Sequence, residues 1–417
     1  MVNLGKVREL NQDTEEERQE SSIVPSMNIS SQKEPFLDFG PATVCLRGEG
    51  ILFDALRRFH FCQHSAKRNN VSVPFDIVLT AMDHSPSKDS FQPLYRSGIV
   101  TFDERDLQFE TPLFVSRVTS LFDRQSPSMV KVYPRQPLSI SRVNAPVEFF
   151  RRLKRPSFEG RTWQTANSIM SYSLFWFVLH SVLLKKDAAF LHGSTIDWDG
   201  KAVILTGTGG CGKTSTAFKL LEDPQAKYLS EDFSILSNTG SLYYNPKLMS
   251  IYGSDTRNDQ KILIDYVENR MSIMDRLHWK WTLGRRNGNP LRKISPEEAL
   301  SPDRICKRSD IDSVYYLVRS REKEISHREI GIHELAQRCS DASLRELKTL
   351  IEILLLIKAT APQCDEYMTI ADLTKQTERV YKAAFGFASR LLLIRIPEES
   401  KPAEVSGYLS KHGLLPK

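Results

Sequence analysis

The sequence predicts an α/β fold built around a phosphate-binding loop, with a smaller α+β region in front of it. Three observations carry that expectation. Gly207-Thr208-Gly209-Gly210-Cys211-Gly212-Lys213-Thr214 fits the pattern GxxxxGK[ST] at each required position. An apolar run over 202–205 precedes it and the helix-forming stretch 216–221 follows it, the strand–loop–helix setting such a loop needs. Beyond the loop, helix-period and strand-period segments alternate as far as residue 396.

Taken in order, residues 1–34 have almost no apolar content and are expected as a flexible tail. Residues 35–150 form the expected N-terminal α+β domain, a candidate for binding a substrate or partner. Short β-rich runs predict strands over 43–46, 75–80, 98–102, 107–115 and 129–133, and Leu52, Leu56 and Phe59 predict one face of a helix over 51–61. Residues 151–162, opening on the basic, Pro-containing RRLKRPS, are expected as a linker. The domain holding the loop then spans 163–400, with 401–417 as a C-terminal tail.

Within it, 163–184 predicts a long helix. Runs 188–197 and 201–206 predict a hairpin, because Asp199-Gly200 suits a two-residue turn that needs positive φ. His192 sits at an expected kink in its first strand. Helices are expected over 212–222, 260–277, 332–338, 343–358 and 378–387, and strands over 228–236, 313–318 and 391–396.

Length and composition bound the function. A chain of 417 residues has room for two or three domains, and 40% apolar with 26% charged residues is the composition of a folded, water-soluble protein. A net charge of +6, spread along the chain, favours anions but gives no argument for nucleic acid. Six cysteines without CxxC spacing are expected as free thiols in a reducing compartment. The polar run 12–22 precludes a secretory signal, and the apolar stretch 169–184, broken by Ser171, Ser173, His180 and Ser181, is too short and too polar for a membrane span. No membrane association and a cytoplasmic location are therefore expected.

The loop's residue types follow from its chemistry. Glycines let the backbone curl so that successive N–H groups aim at a phosphate, and the helix behind adds its positive end. Residues Gly207 to Gly212 would cradle the phosphates, Lys213 would reach the terminal ones, Thr214 would hold Mg²⁺, and Ser215 is expected among the nucleotide-binding residues. An ordinary ATPase or GTPase adds an apolar strand ending in Asp. Here the run 313–318 ends in Arg319, and Asp265 falls in a helical pattern. The acidic pair Glu231-Asp232, with Asp232 nineteen residues after Lys213, is the remaining candidate to hold metal or accept a hydroxyl proton.

The segments FLHGSTIDWDGKAVILTGTGGCGKTSTAFKLL and YLSEDFSIL together resemble the catalytic domain of the HPr kinase/phosphorylase superfamily, densely over 188–236 and loosely onward to 396. The resemblance implies a P-loop kinase fold of the phosphoenolpyruvate carboxykinase-like type that moves the γ-phosphoryl of ATP to a hydroxyl. It implies that His192 is the active-site histidine, that Lys213 and Thr214 serve nucleotide and metal, and that Asp232 is the base, assisted by Glu231. Thr214 and Asp232 are the implied Mg²⁺ residues. Asn245-Pro246-Lys247 resembles a strand that follows the pair in related kinases.

The family's RGxG signature with its glutamate is not visible. Leu283-Gly284-Arg285-Arg286-Asn287 is the nearest basic loop, with Arg285 or Arg286 as a candidate charge neutraliser. The expected acceptor is thus a serine-like hydroxyl on a peptide, protein or small metabolite, HPr itself being disfavoured, and a homo-oligomer is compatible with it. The alternative is a nucleotide-dependent binding or regulatory module without phosphoryl transfer.

Overall fold

Alternating burial along 106–110, with Leu107 and Phe109 inside and their neighbours half-buried, is the mark of a sheet with one covered face. The computed structural model describes residues 36–48, 53, 76–82, 94–97, 100–103, 106–110, 114–119, 127–134, 178–254, 260–271, 273–285, 288–365 and 367–416. The expected tail 1–34, linker 151–162, most of helix 51–61 and the first part of helix 163–184 lie outside them.

The N-terminal sheet comprises β1 (Phe36–Asp38), β2 (Thr43–Gly48), β3 (Ile77–Ala81), β4 (Tyr95–Ser97), β5 (Val100–Phe102), β6 (Asp106–Glu110), β7 (Phe114–Thr119) and β8 (Ser128–Pro134). They are ordered β1-β2-β3-β8-β7-β6-β5-β4, with β2, β3 and β8 parallel. The single strand expected over 107–115 is two, β6 and β7, which pair antiparallel. Pro112 falls between them and has no N–H to give a ladder.

After helix α1 (His180–Lys185) come β9 (Ala188–Trp198) and β10 (Lys201–Gly207), whose hairpin turns through Asp199 at φ 52° and Gly200 at φ 83°. Strand β9 runs unbroken through His192, so the expected kink is absent. Helix α2 (Lys213–Leu220), β11 (Ala226–Ser230), β12 (Phe233–Ser237), β13 (Ser241–Tyr243) and β14 (Met249–Tyr252) follow. The expected helix 260–277 is interrupted: α3 (Lys261–Asp265) passes into a π turn and an extended Met271 before α4 (Ile273–Leu283). Then come β15 (Leu291–Ile294), α5 (Pro296–Ala299), β16 (Arg308–Ser320) and β17 (Ser326–Glu329).

The two helices expected between 332 and 358 join differently. One helix, α6 (Ile332–Glu346), continues past Arg338, because Cys339, Ala342 and Ser343 are small and buried and let it approach β9 closely. It is followed by α7 (Lys348–Thr360), α8 (Ile370–Phe385), β18 (Arg390–Pro397) and α9 (Pro402–Lys411). A capping box of Thr369 and Asp372 starts α8 earlier than its apolar spacing suggests.

The second sheet is ordered β10-β9-β12-β13-β16-β18-β17, with β10 also pairing with β16 and β11 with β9; β10, β16 and β18 run parallel. Its central strands are buried on both faces, as Ala202 to Leu205 and Val314 to Leu317 require. The architecture is a mixed α/β fold. One hydrophobic core runs from Leu37 and Phe102 in the first sheet to Phe190, Leu354 and Phe385 around the second, and Tyr367 Oη donates to Asp106 O at 3.2 Å across the join. The two regions therefore share packing. No described helix is long and apolar enough to cross a membrane.

The expected tail from 401 is instead a packed element. Val405 and Leu409 of α9 and the following Leu414 and Leu415 are buried in the core that covers α2, and Tyr315 Oη donates to Leu414 O. Leu409→Ala is expected to cost about 2–4 kcal/mol, read as a lower midpoint in denaturant unfolding.

Candidate functional site

The phosphate loop leaves the carboxyl end of β10, beside the carboxyl end of its parallel neighbour β16. Gly207, Gly210 and Gly212 all take positive φ there. A Cβ on Gly207, at φ 137°, would lie 2.4 Å from Leu317 O, and Gly212 opens α2 at φ 96°. The crest, Thr208 to Gly210, is exposed. Lys213 is buried beneath it, donating to Gly207 O at 3.1 Å and Thr208 O at 3.0 Å. Ser215 lies in the first turn of α2, half-buried.

Period-two geometry places His192 and Ser194 on one face of β9. Ser194 Oγ lies 3.5 Å from Thr214 Oγ1, and His192 Nε2 lies 3.7 Å from Asp232 Oδ1. The carboxylates arrive through an unexpected break. The strand expected over 228–236 divides at Asp232, which takes φ 67° while Phe233 N donates to Glu231 O at 2.7 Å. That three-residue turn matters because neighbours in a regular strand point to opposite faces; here both carboxylates reach the loop side.

Their contacts separate their roles. Glu231 meets Thr214, whose Oγ1 donates to Oε1 at 3.4 Å, and its other oxygen accepts from Ser250 N at 3.2 Å. Asp232 accepts from Lys247 Nζ and faces His192. Glu231, not Asp232, is thus the carboxylate beside the implied metal residue Thr214.

Residues 245–247 do not form the strand that the resemblance implies; they form a clamp. Buried Asn245 donates to Phe233 O at 2.7 Å and accepts from Lys247 N at 3.1 Å, holding both the acidic turn and the lysine. Lys247 and Glu346 are functional candidates that spacing did not reveal. Glu346, at the end of α6, lies 3.7 Å from His192 Nδ1, and Ser343 Oγ of the same helix accepts from His192 N at 2.9 Å. Arg285, by contrast, stacks on the exposed Trp281 at 3.4 Å, and Arg286 lies outside the described residues.

Electrostatics distinguishes the groups further. Burial, reinforced by Lys213, pulls His192 down to about 4, so it is neutral at pH 7. Burial, reinforced by the charge of Asp232, pushes Glu231 up to about 7. Burial also acts to raise Asp232, but Lys247 outweighs it and holds that carboxyl below its usual range. The Cys211 thiol is buried and pushed up by burial against the pull of Lys213. Among the described residues, Cys211, Cys306 and Cys339 are free thiols.

Hydroxyls of Ser194 and Thr214 with the Glu231 carboxylate are hard oxygen donors, the set Mg²⁺ takes when phosphates complete its shell. The residues present therefore fit the implied ion. No protein-family model and no curated protein matches the chain.

Glu231 gives a pH prediction. The folded carboxyl keeps its proton to about pH 7, whereas an unfolded one loses it near 4.5, so the folded state binds more protons and stability falls as pH rises through that window. Glu231→Gln is expected to match the wild type near pH 4 and to exceed it at pH 8 by on the order of 1–2 kcal/mol, allowing for the site's partial exposure. Unfolding midpoints at the two pH values check it.

Proposed function

We propose that the chain is an ATP- and Mg²⁺-dependent kinase of the HPr-kinase-like type, transferring the γ-phosphoryl to a serine-like hydroxyl of a peptide, protein or small metabolite. One observation carries the reading: a complete phosphate loop and a two-carboxylate turn converge on one face, linked through Thr214–Glu231 at 3.4 Å and His192–Asp232 at 3.7 Å.

In this reading Lys213 leaves its loop carbonyls to neutralise the phosphate chain, and the loop amides hold it in place. When bound, Mg²⁺ supplies charge neutralisation on the phosphates. Thr214, Glu231 and Ser194 are the groups suited to hold it. Asp232, ionised at neutral pH, accepts the acceptor hydroxyl's proton, and neutral His192 packs beside it on the Phe233 ring, 5.6 Å between centroids. Lys247 must yield Asp232 for that step, since an ion-paired carboxylate is a weaker base.

That same ion pair favours a second reading, a nucleotide-dependent binding module in which Asp232 stays clamped and no phosphoryl moves. Lys247→Met discriminates: a kinase changes its turnover, whereas a module changes only partner or nucleotide affinity.

Incubation with γ-labelled ATP and candidate peptides or metabolites is the direct test, label on an acceptor being the expected result. Asp232→Asn is expected to slow transfer by about 10²–10⁴-fold with ATP affinity nearly unchanged. Lys213→Ala is expected to weaken ATP binding itself. Label that never leaves ATP, in the wild type and with every acceptor class, would sink the kinase assignment.

A further inference from the structure

Near its end beside the phosphate loop, strand β16 carries a cation, not a carboxylate. Leu317 pairs with Gly207, and Arg319, two residues on, lies on the same face as Leu317. Its Nη1 donates to Pro397 O at 2.7 Å, Ser400 O at 3.1 Å and Glu398 O at 3.4 Å, at the end of β18 and in the turn that leads from it to α9. The guanidinium's other end faces the loop: Nη2 lies 3.2 Å from where a Cβ on Gly212 would sit. Among the described residues, Nη2 and Nε meet no protein acceptor.

A half-buried guanidinium fixed at one nitrogen and undonated at the others is prepared for an anion, because its side-chain entropy is already spent. The carbonyls that fix it carry no net charge, so its positive charge is left for whatever occupies the loop. Glycine at 212 keeps a side chain from standing between them.

We infer that Arg319 is a phosphate-contacting residue: anchored by the 397–400 turn, it offers Nη2 to the oxygens of a polyphosphate chain held by residues 207–214. The inference rests on the proposed nucleotide binding. It places a cation where a strand-end carboxylate supports metal in ordinary phosphate-loop proteins, so part of the polyphosphate affinity is independent of metal.

The test is calorimetric titration of the full chain with inorganic tripolyphosphate and with ATP, both in EDTA, for wild type, Lys213→Ala, Arg319→Gln and Arg319→Lys. Thermal unfolding confirms that each variant is folded. Arg319→Gln is expected to weaken both ligands by about 10- to 100-fold, the range for a lost charge-assisted hydrogen bond. Arg319→Lys is expected to fall between it and the wild type; it also serves as the readout where Arg319→Gln does not fold.

Tripolyphosphate affinity within twofold of wild type in a folded Arg319 variant overturns the inference. So does a loss confined to ATP, which would put the guanidinium on the nucleoside. If the wild type binds neither ligand in EDTA or with Mg²⁺, the nucleotide reading falls and takes the inference with it; binding that appears only with Mg²⁺ overturns the inference alone. If Lys213→Ala weakens binding and the Arg319 variants do not, the inference alone fails.

Discussion

The candidate site depends on one backbone event, the turn at Asp232. A hydrogen bond from Phe233 N to Glu231 O closes three residues on themselves and holds Asp232 at φ 67°, a conformation that costs an L-residue about 1–2 kcal/mol. Gly193 N donating to Asp232 O at 3.1 Å and Asn245 donating to Phe233 O offset that cost from either side. Without the break, β11 and β12 would be one strand, and Glu231 and Asp232 would point to opposite faces of the sheet. With it, they share a small volume with Lys213, and their charges then have to be separated.

Separation is achieved by giving each carboxylate different company. Lys247 neutralises Asp232, which stays ionised; Glu231, between Asp232 and a buried surround, holds its proton more tightly and faces Thr214. The two are not independent, since the charge of Asp232 helps to push Glu231 up. His192 is kept neutral by burial and by Lys213, and its ring is bordered by carboxylates on both nitrogens. Charged groups of both signs thus meet around a loop that opens to solvent only at its crest.

Legibility was uneven along the chain for physical reasons. The hairpin was readable because Asp199-Gly200 encodes its own turn, and the phosphate loop because glycine, lysine and threonine are required at fixed positions. Helix α6 was cut short in the sequence reading because its buried face is made of Cys339, Ser340, Ala342 and Ser343, small residues that pack well yet carry little hydropathy. Helix α9 looks like a tail because its buried side chains, Pro402, Val405 and Leu409, are too few to stand out without the surface they cover. Lys247 and Glu346 lie 15 and 154 residues from their site neighbours Asp232 and His192, a separation that only folding closes.

By itself, the sequence determined the α/β character and the strand–loop–helix setting of 202–221, and it singled out Lys213, Thr214, Glu231 and Asp232 as candidates. Those are local properties: periodicity, turn chemistry and residue type act over a few positions. The tertiary structure alone decided which carboxylate faces Thr214, what restrains Asp232, and that Arg319, in sequence terms merely a missing aspartate, stands beside Gly212. Charges separated along the chain influence one another only when packing brings them within a few ångströms and removes the water between them.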